Sequence, residues 1–401
     1  MKYIVLVADG MADYPVEELG GRTPIEAARK PNMDFIAQNG SLGRVKTIPD
    51  KMTPASDVAN LSIIGYDPKK YYTGRGPLEA ANLGIELSGN DVAFRCNLVT
   101  ALKDTLTDYS AGHIKTEEAA ILIKYVDHCL GNEKVKFYPG ISYRHLLLIK
   151  DGANLGLENL VCRPPHDITG GSISKNLPKG KNAEIITGLM EESRKILEKH
   201  EINAVRIDLK ENPGNMIWLW GQGRKPQFSK FTEKFGVTGS VISAVDLIKG
   251  LGRLLGLDVI NVEGATGYYD TNYQGKAEAA LDSLKKNDFV FVHVEAPDEA
   301  GHNGDLREKI IAIERFDQLI VGKFLEEFKG KDDFRIMVLP DHATPVSVKT
   351  HTAEPVLFGV FGKGIPKGDS SSYCEKEAEK SNFYFDRGYE LMEYFIRGTH
   401  A

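Results

Sequence analysis

Three short apolar runs in this chain each stop abruptly at an ionisable residue. Tyr3 to Ala8 (YIVLVA) runs into Asp9, Phe289 to Val294 (FVFVHV) leads past Pro297 to Asp298 and His302, and Phe334 to Leu339 (FRIMVL) leads to Asp341 and His342. Runs this short, rich in β-branched and aromatic residues and continuous rather than alternating, predict strands covered by helices on both faces. Amphipathic stretches between them predict helices over TPIEAARKPNMDFIAQNG (broken at Pro31, stopped by Gly40), VISAVDLIKGLGRLLGL, GKAEAALDSLKK and the long LREKIIAIERFDQLIVGKFLEEFK. LDVINV reads as a further strand, His351 opens a last apolar segment, and SSSYCEKEAEKS reads as a solvated loop. The outer thirds therefore belong to the α/β class, a doubly wound sheet with helices on both faces.

The pattern changes after about Leu87. DVAFRCNLVT and NMIWLWGQG read as strands, TEEAAILIKYVDHCL and NAEIITGLMEESRKILEKH as helices, and VKFYPGISYRHLLLIK as a hairpin turning at Pro139-Gly140. Residues 88–230 are thus expected to form a smaller inserted α+β domain, with 1–87 and 231–401 making one discontinuous domain around it.

Composition adds exclusions. A 401-residue chain with 42% hydrophobic and 26% charged residues is ordinary for a globular protein, and a net charge of -6 argues against nucleic acid or an anionic membrane as partner. Cys96, Cys129, Cys162 and Cys374 form no CxxC pair, which suits reduced thiols in a cytoplasm. No stretch approaches the roughly 18 apolar residues of a membrane span. The expectation is a soluble cytoplasmic protein with a small-molecule partner and an oligomeric state that composition leaves open.

The residues that end the strands carry the chemistry. Ligands gather at the C-terminal edge of strands in open α/β sheets. Asp298 and His302, four apart, share one face of a helical turn, where both can reach one cation; a capping aspartate beside an incidental histidine is the alternative. Ser56, in TPASDVANLSIIGYDP, is either a helix N-cap or a nucleophile at a helix N-terminus, where the dipole favours a phosphate ester. Arg75, between two glycines in YYTGRGPLEA, is either an oxyanion clamp on a Gly-rich loop or a surface arginine in a turn. Arg95, His113, Arg144 and His166 are candidate substrate contacts in the middle third, beside His145 and Arg163; six such residues are ordinary over that length, so surface or structural roles are the alternative. Asp9, Ser56, Asp298, His302, Asp341, His342 and His351 together are too many ligands for one tetrahedral site. Oxygen and imidazole donors without cysteine suit two divalent ions (Mn²⁺, Zn²⁺ or Mg²⁺), which about 3.5–4 Å apart would clamp a phosphoryl group in transfer.

Several ordered motifs, VADGMAD, TPASDVANLSIIGYDP, YYTGRGPLEA, AFRCN, APDEAGHNGD, LPDH and THT, resemble those of the alkaline phosphatase superfamily, and within it the archaeal-type cofactor-independent phosphoglycerate mutases. The resemblance implies interconversion of 2- and 3-phosphoglycerate through a phosphoserine at Ser56, without 2,3-bisphosphoglycerate. It implies one metal on Asp298, His302 and His351, a second on Asp9, Ser56, Asp341 and His342, and Lys234 stabilising the phosphoryl group. The inserted domain would close over substrate and exclude water. One segment departs from the family. TDYSAGHI, with Tyr109, Ser110 and His113, stands where mutases usually carry an arginine-rich VDRRAGR-like stretch, and it resembles a branch proposed as homoserine kinases. A kinase would need a nonstandard nucleotide site, since no GxxxxGK[ST] loop is present.

Overall fold

The computed structural model describes residues 1–398, which divide into two compact units: Met1–Tyr72 with the chain from Phe228 onward, and Thr73–Gln227.

In the first unit, an eight-stranded sheet runs in the order Tyr384–Phe385, Ser41–Val45, Val356–Gly362, Phe334–Leu339, Lys2–Ala8, Phe289–Val294, Gly239–Ile242, Asp258–Ile260. The three runs that end in acidic residues are its centre. Lys2–Ala8 lies between Phe334–Leu339 and Phe289–Val294 and is parallel to both, so all three deliver their following residues to one edge. Their side chains are buried throughout, apart from Lys2, which explains why the sequence shows no alternation there. Val356–Gly362 is antiparallel to Phe334–Leu339. The predicted long helix is Leu306–Phe316 and Gly322–Phe328 joined by a π turn, Asp317–Val321. That turn aims buried Asp317 at the start of helix Pro31–Asn39, where it accepts from the Met33 amide at 2.7 Å and the Asn32 side chain at 2.9 Å. No helix among the described residues is long and apolar enough to cross a membrane.

The second unit is an antiparallel sheet built around Val92–Leu102, which pairs with Arg144–Ile149, Met216–Arg224 and Thr105–Asp108, with Val135–Ile141 outside Arg144–Ile149. Helices Thr116–Leu130 and Ala183–Leu197 contribute Leu122, Val126, Ile186 and Met190 to a core with Phe94, Leu98, Leu147 and Trp218.

Four local expectations change. The first junction falls after Tyr72 rather than after residue 87, because helix Arg75–Asn82 packs on Val92–Leu102: Gly76 lies so close to the Ala93 carbonyl that an added Cβ would stand 2.3 Å from it. Arg75 is therefore the first residue of a helix, not part of a loop. Pro139-Gly140 is not the hairpin turn; the register shift between Tyr138 and Ile141 makes it a bulge, and the turn is at Ser142, which takes φ 52°. Val241 and Ile242 lie in strand Gly239–Ile242, and the helix begins only at Asp246. Lastly, the segment read as a solvated loop buries Tyr373 and Cys374 and forms helix Glu375–Lys380.

Candidate active site

Parallel register brings the candidate ligands together. Asp9 follows Ala8 directly and its amide donates to the Val294 carbonyl at 2.9 Å, while Asp341 and His342 emerge beside it beyond Leu339. Gly10 takes φ 61°, and its amide donates to Asp341 Oδ1 at 3.0 Å, so the chain turns tightly beneath both aspartates. The strand Phe289–Val294 leads into helix Ala296–Asn303, which carries Asp298 and His302 one turn apart with Nε2 3.3 Å from Oδ2. The paired-ligand reading of that spacing fits this geometry; the capping reading does not, since Asp298 is inside the helix.

Ser56 is the first residue of helix Ser56–Ile63, and Ala55 occupies the cap position, so the capping alternative for Ser56 fails. Its Oγ lies instead 3.2 Å from His342 Nε2. Asn60, one turn on, donates to the Ser56 carbonyl at 2.9 Å and to Asp341 Oδ2 at 2.8 Å, tying the helix to the ligand cluster.

Two overlapping sets of donors result. His302 Nε2 is 2.9 Å from His351 Nε2, which is 3.5 Å from Asp298 Oδ1. His342 Nε2 is 3.4 Å from Asp9 Oδ1 and 3.5 Å from Asp341 Oδ2. Metal–ligand distances of about 2.0–2.1 Å in a tetrahedral site imply donor–donor edges of about 3.3–3.4 Å. These donor pairs lie 2.9–3.5 Å apart, around that spacing, and Asp9 Oδ1 is buried without a hydrogen-bond partner among the described residues. The donor set and its spacing fit divalent cations. His342 stands between the sets, its ring 4.1 Å from that of His351, and among the described residues the triads whose ligand atoms all lie within 4.8 Å of one another are Asp298–His342–His351 and Asp9–His293–Asp341. His293 is the ligand candidate that sequence reasoning passed over.

Charge in the site is concentrated. Burial, then the neighbouring Asp341 and Asp298 carboxylates, push Asp9 well above the usual carboxylate range. Burial alone would also raise Asp298, but hydrogen bonds from His302 and His351 outweigh it and hold Asp298 well below that range. Burial opposes a charge on His302, yet Asp298 beside it carries the imidazole up to about 9, whereas burial holds His293 down to about 4 and so neutral. Lys309, fully buried, spans the loops behind the ligands: its Nζ donates to Asp13 Oδ2 at 2.7 Å, the Thr344 carbonyl at 2.8 Å and the Ala12 carbonyl at 3.3 Å.

Lys234 lies in helix Phe231–Phe235, where its Nζ donates to the Gly65 carbonyl and sits 4.4 Å from the Tyr66 ring centroid. Burial lowers its pKa from the ordinary lysine value. Among the described residues, its contacts are with none of the seven candidate ligands.

In the second unit three of the predicted substrate residues, Arg75, Arg95 and His166, meet around Trp220, which was not predicted. The guanidinium carbons of Arg95 and Arg75 lie 4.5 Å and 5.7 Å from the Trp220 ring centroid, and the His166 ring is 5.4 Å away. Arg95 is paired with Glu79, Nε to Oε1 at 2.9 Å. Edge-on ring contacts continue from His166 to Tyr109, from Tyr109 to His113 and Tyr143, and Arg144 lies over Tyr143 at 5.7 Å. Ser110 is not a substrate-facing group, because its amide and hydroxyl both bind Asp108 Oδ1 at 2.7 Å. His145 is buried and accepts from the Gly140 amide at 3.0 Å, and Arg163 bonds Asn176 at 3.1 Å; neither joins the ring cluster.

Residues 37–203 match the family described as 2,3-bisphosphoglycerate-independent phosphoglycerate mutase. A protein of that name from Methanosarcina barkeri is 55% identical over 99% of this chain and 100% of its own length. One from Methanosarcina mazei is 54% identical over 95% of this chain and 96% of its own. Among solved structures, a Pyrococcus horikoshii protein aligns with a TM-score of 0.83 at 31% identity, covering 100% of this chain and 98% of that one. The cofactor-independent phosphoglycerate mutase of Thermoplasma acidophilum aligns with a TM-score of 0.67 at 28% identity over 100% of both chains. With identity above half sustained along nearly the whole chain, the protein belongs to the 2,3-bisphosphoglycerate-independent phosphoglycerate mutase family.

Proposed function

We propose that the protein interconverts 2- and 3-phosphoglycerate in the cytoplasm by passing the phosphoryl group through Ser56, with no 2,3-bisphosphoglycerate. The observation that carries this reading is the position of Ser56 Oγ, 3.2 Å from His342 Nε2 at the first residue of a helix, among Asp9 and Asp341. Divalent cations (Mn²⁺, Zn²⁺ or Mg²⁺) on Asp9, Ser56, Asp341 and His342, and on Asp298, His302 and His351, would supply Lewis-acid charge to the phosphoryl oxygens and lower the Ser56 hydroxyl pKa. The chain's own groups do the rest. The helix that begins at Ser56 turns its first amides toward an anionic ester. Asn60 fixes that helix against Asp341, so the nucleophile and the carboxylate hold one geometry. Lys234 serves the transferring phosphoryl group by exchanging the Gly65 carbonyl for a phosphate oxygen.

The second unit holds its own cluster of cationic and aromatic groups. Arg75 and Arg95, whose guanidiniums lie over Trp220, are planar donors suited to carboxylate and phosphate. The aromatic and imidazole lining formed by Tyr109, His113, Tyr143 and His166 favours a second substrate, an amino-acid hydroxyl phosphorylated by a nucleotide, since an ammonium needs rings more than guanidiniums. One assay separates them. Metal-reconstituted protein is offered 3-phosphoglycerate alone, or homoserine with ATP. Formation of 2-phosphoglycerate without nucleotide, abolished by exhaustive chelation and restored by Mn²⁺, is expected. Phosphohomoserine with no mutase turnover would replace this reading by the second.

A further inference from the structure

We infer that His293 is a ligand of the cation held by Asp9 and Asp341. The inference rests on the metal-dependent reading above and adds a donor that the motif set does not contain. Strand register places it. Val7 is paired with His293 on one side and with Leu339 on the other, so these three side chains lie in one row on one face of the sheet. Asp9 and Asp341 follow Val7 and Leu339 by two residues, which continues that face toward the C-terminal edge.

The geometry agrees. His293 Nε2 is 3.2 Å from Asp9 Oδ2, while Asp9 Oδ1 faces His342 on its other side. Ligand atoms of Asp9, His293 and Asp341 all lie within 4.8 Å of one another. The His293 side chain is 0% exposed, yet among the described residues neither ring nitrogen has a hydrogen-bond partner, and the Nε2 approach to Asp9 lacks the alignment of an N–H···O bond. Buried imidazoles are satisfied by a donor, an acceptor or a metal. The backbone here is held rigidly, since Lys276, itself buried, donates to the His293 carbonyl at 3.1 Å. An unpaired imidazole on a fixed strand, aimed at two carboxylates, has the chemistry of a metal ligand and little reason to persist as a packing residue.

The test uses the full chain stripped of metal and titrated with Mn²⁺ by calorimetry and with Co²⁺ by visible absorption. The variants are His293→Leu, which fills the space without a donor, and His293→Gln, which keeps polarity should the leucine variant misfold. Wild type should bind two equivalents. Each variant should keep one binding event unchanged and weaken the other by at least about tenfold, with altered Co²⁺ ligand-field bands. Without metal, His293→Leu should melt no lower than wild type, because it removes an unsatisfied buried group; a structural ion pair to Asp9 would instead make it melt lower. Unchanged affinities and bands would overturn the inference while leaving the metal-dependent reading intact. Wild type that binds no divalent cation would overturn both.

Discussion

Replacing Lys309 by methionine should destabilise the first unit by about 3–5 kcal/mol, the usual cost of removing one partner from a buried ion pair. Lys309 and Asp13 side chains are both 0% exposed and meet at 2.7 Å. The ammonium also holds the Ala12 and Thr344 carbonyls, and Asp13 accepts from the Val346 amide at 3.1 Å. Methionine matches the stem of lysine, so the volume is kept. What is lost is the charge that balances Asp13, plus two carbonyl partners, each worth about 1–3 kcal/mol if left unsatisfied. The double variant Lys309→Met/Asp13→Asn removes the stranded charge while retaining an oxygen for Val346, and should recover a substantial part of the loss. Guanidinium unfolding at neutral pH measures both, with the transition of each unit followed separately because a two-unit chain need not unfold in one step. Since the loops in question follow Asp9 and precede His351, Mn²⁺ affinity should fall in the single variant and partly return in the double. A single-variant cost below about 1 kcal/mol, or a double variant as unstable as the single, would refute the argument that this pair braces the ligand loops.

Two further outcomes follow from the site's surroundings. Burial raises the Glu375 carboxyl from its usual 4.5 to about 7, against hydrogen bonds from the backbone and Thr23. The native state then holds this proton more tightly than the unfolded state, so stability falls as pH rises from 4.5 through about 7. The effect is at most about 3 kcal/mol, less as its partial exposure screens it; Glu375→Gln should flatten melting temperature against pH across that window, and an unchanged slope would assign it elsewhere. Gly10→Ala would put a Cβ 2.5 Å from Asp298 Oδ1 and 2.7 Å from Asp298 Cα at φ 61°, where backbone cannot give way. Beyond about 1–2 kcal/mol for the left-handed conformation, it should displace Asp298 and weaken Mn²⁺ binding; calorimetry showing wild-type affinity would contradict this.

The legible parts of this protein are those where one physical requirement dominates. The sheet-edge position of Asp9, Asp341 and His342 could be read because fully buried parallel strands tolerate little but apolar residues, so the first ionisable residue after each marks the edge. That Asp298 and His302 share one helix face could be read from their spacing. His293 was hidden by the same logic, since a histidine inside FVFVHV looks like part of the apolar run until register shows which face it shares with Asp9. Ser56 was ambiguous because cap and first-turn positions differ by one residue, which sequence does not resolve. Arg75 was placed on a loop because Gly74 and Gly76 flank it, yet both serve close packing: added Cβ atoms would stand 2.1 Å from the Gln222 carbonyl and 2.3 Å from that of Ala93. Tertiary contact also decided Gly239–Ile242, whose four residues satisfy a strand beside Phe289–Val294 but also continue a helical period. Trp220 gave no local signal, because its role depends on residues brought beside it by strand pairing.

The central claim is that Ser56 carries the phosphoryl group. Wild type and Ser56→Ala, both reconstituted with Mn²⁺, are mixed with 3-phosphoglycerate, quenched with acid and digested for mass spectrometry. The account predicts a phosphate on Ser56 in wild type, and in Ser56→Ala no phosphorylated peptide and turnover at background with two cations still bound. Turnover by Ser56→Ala at the wild-type rate would contradict it.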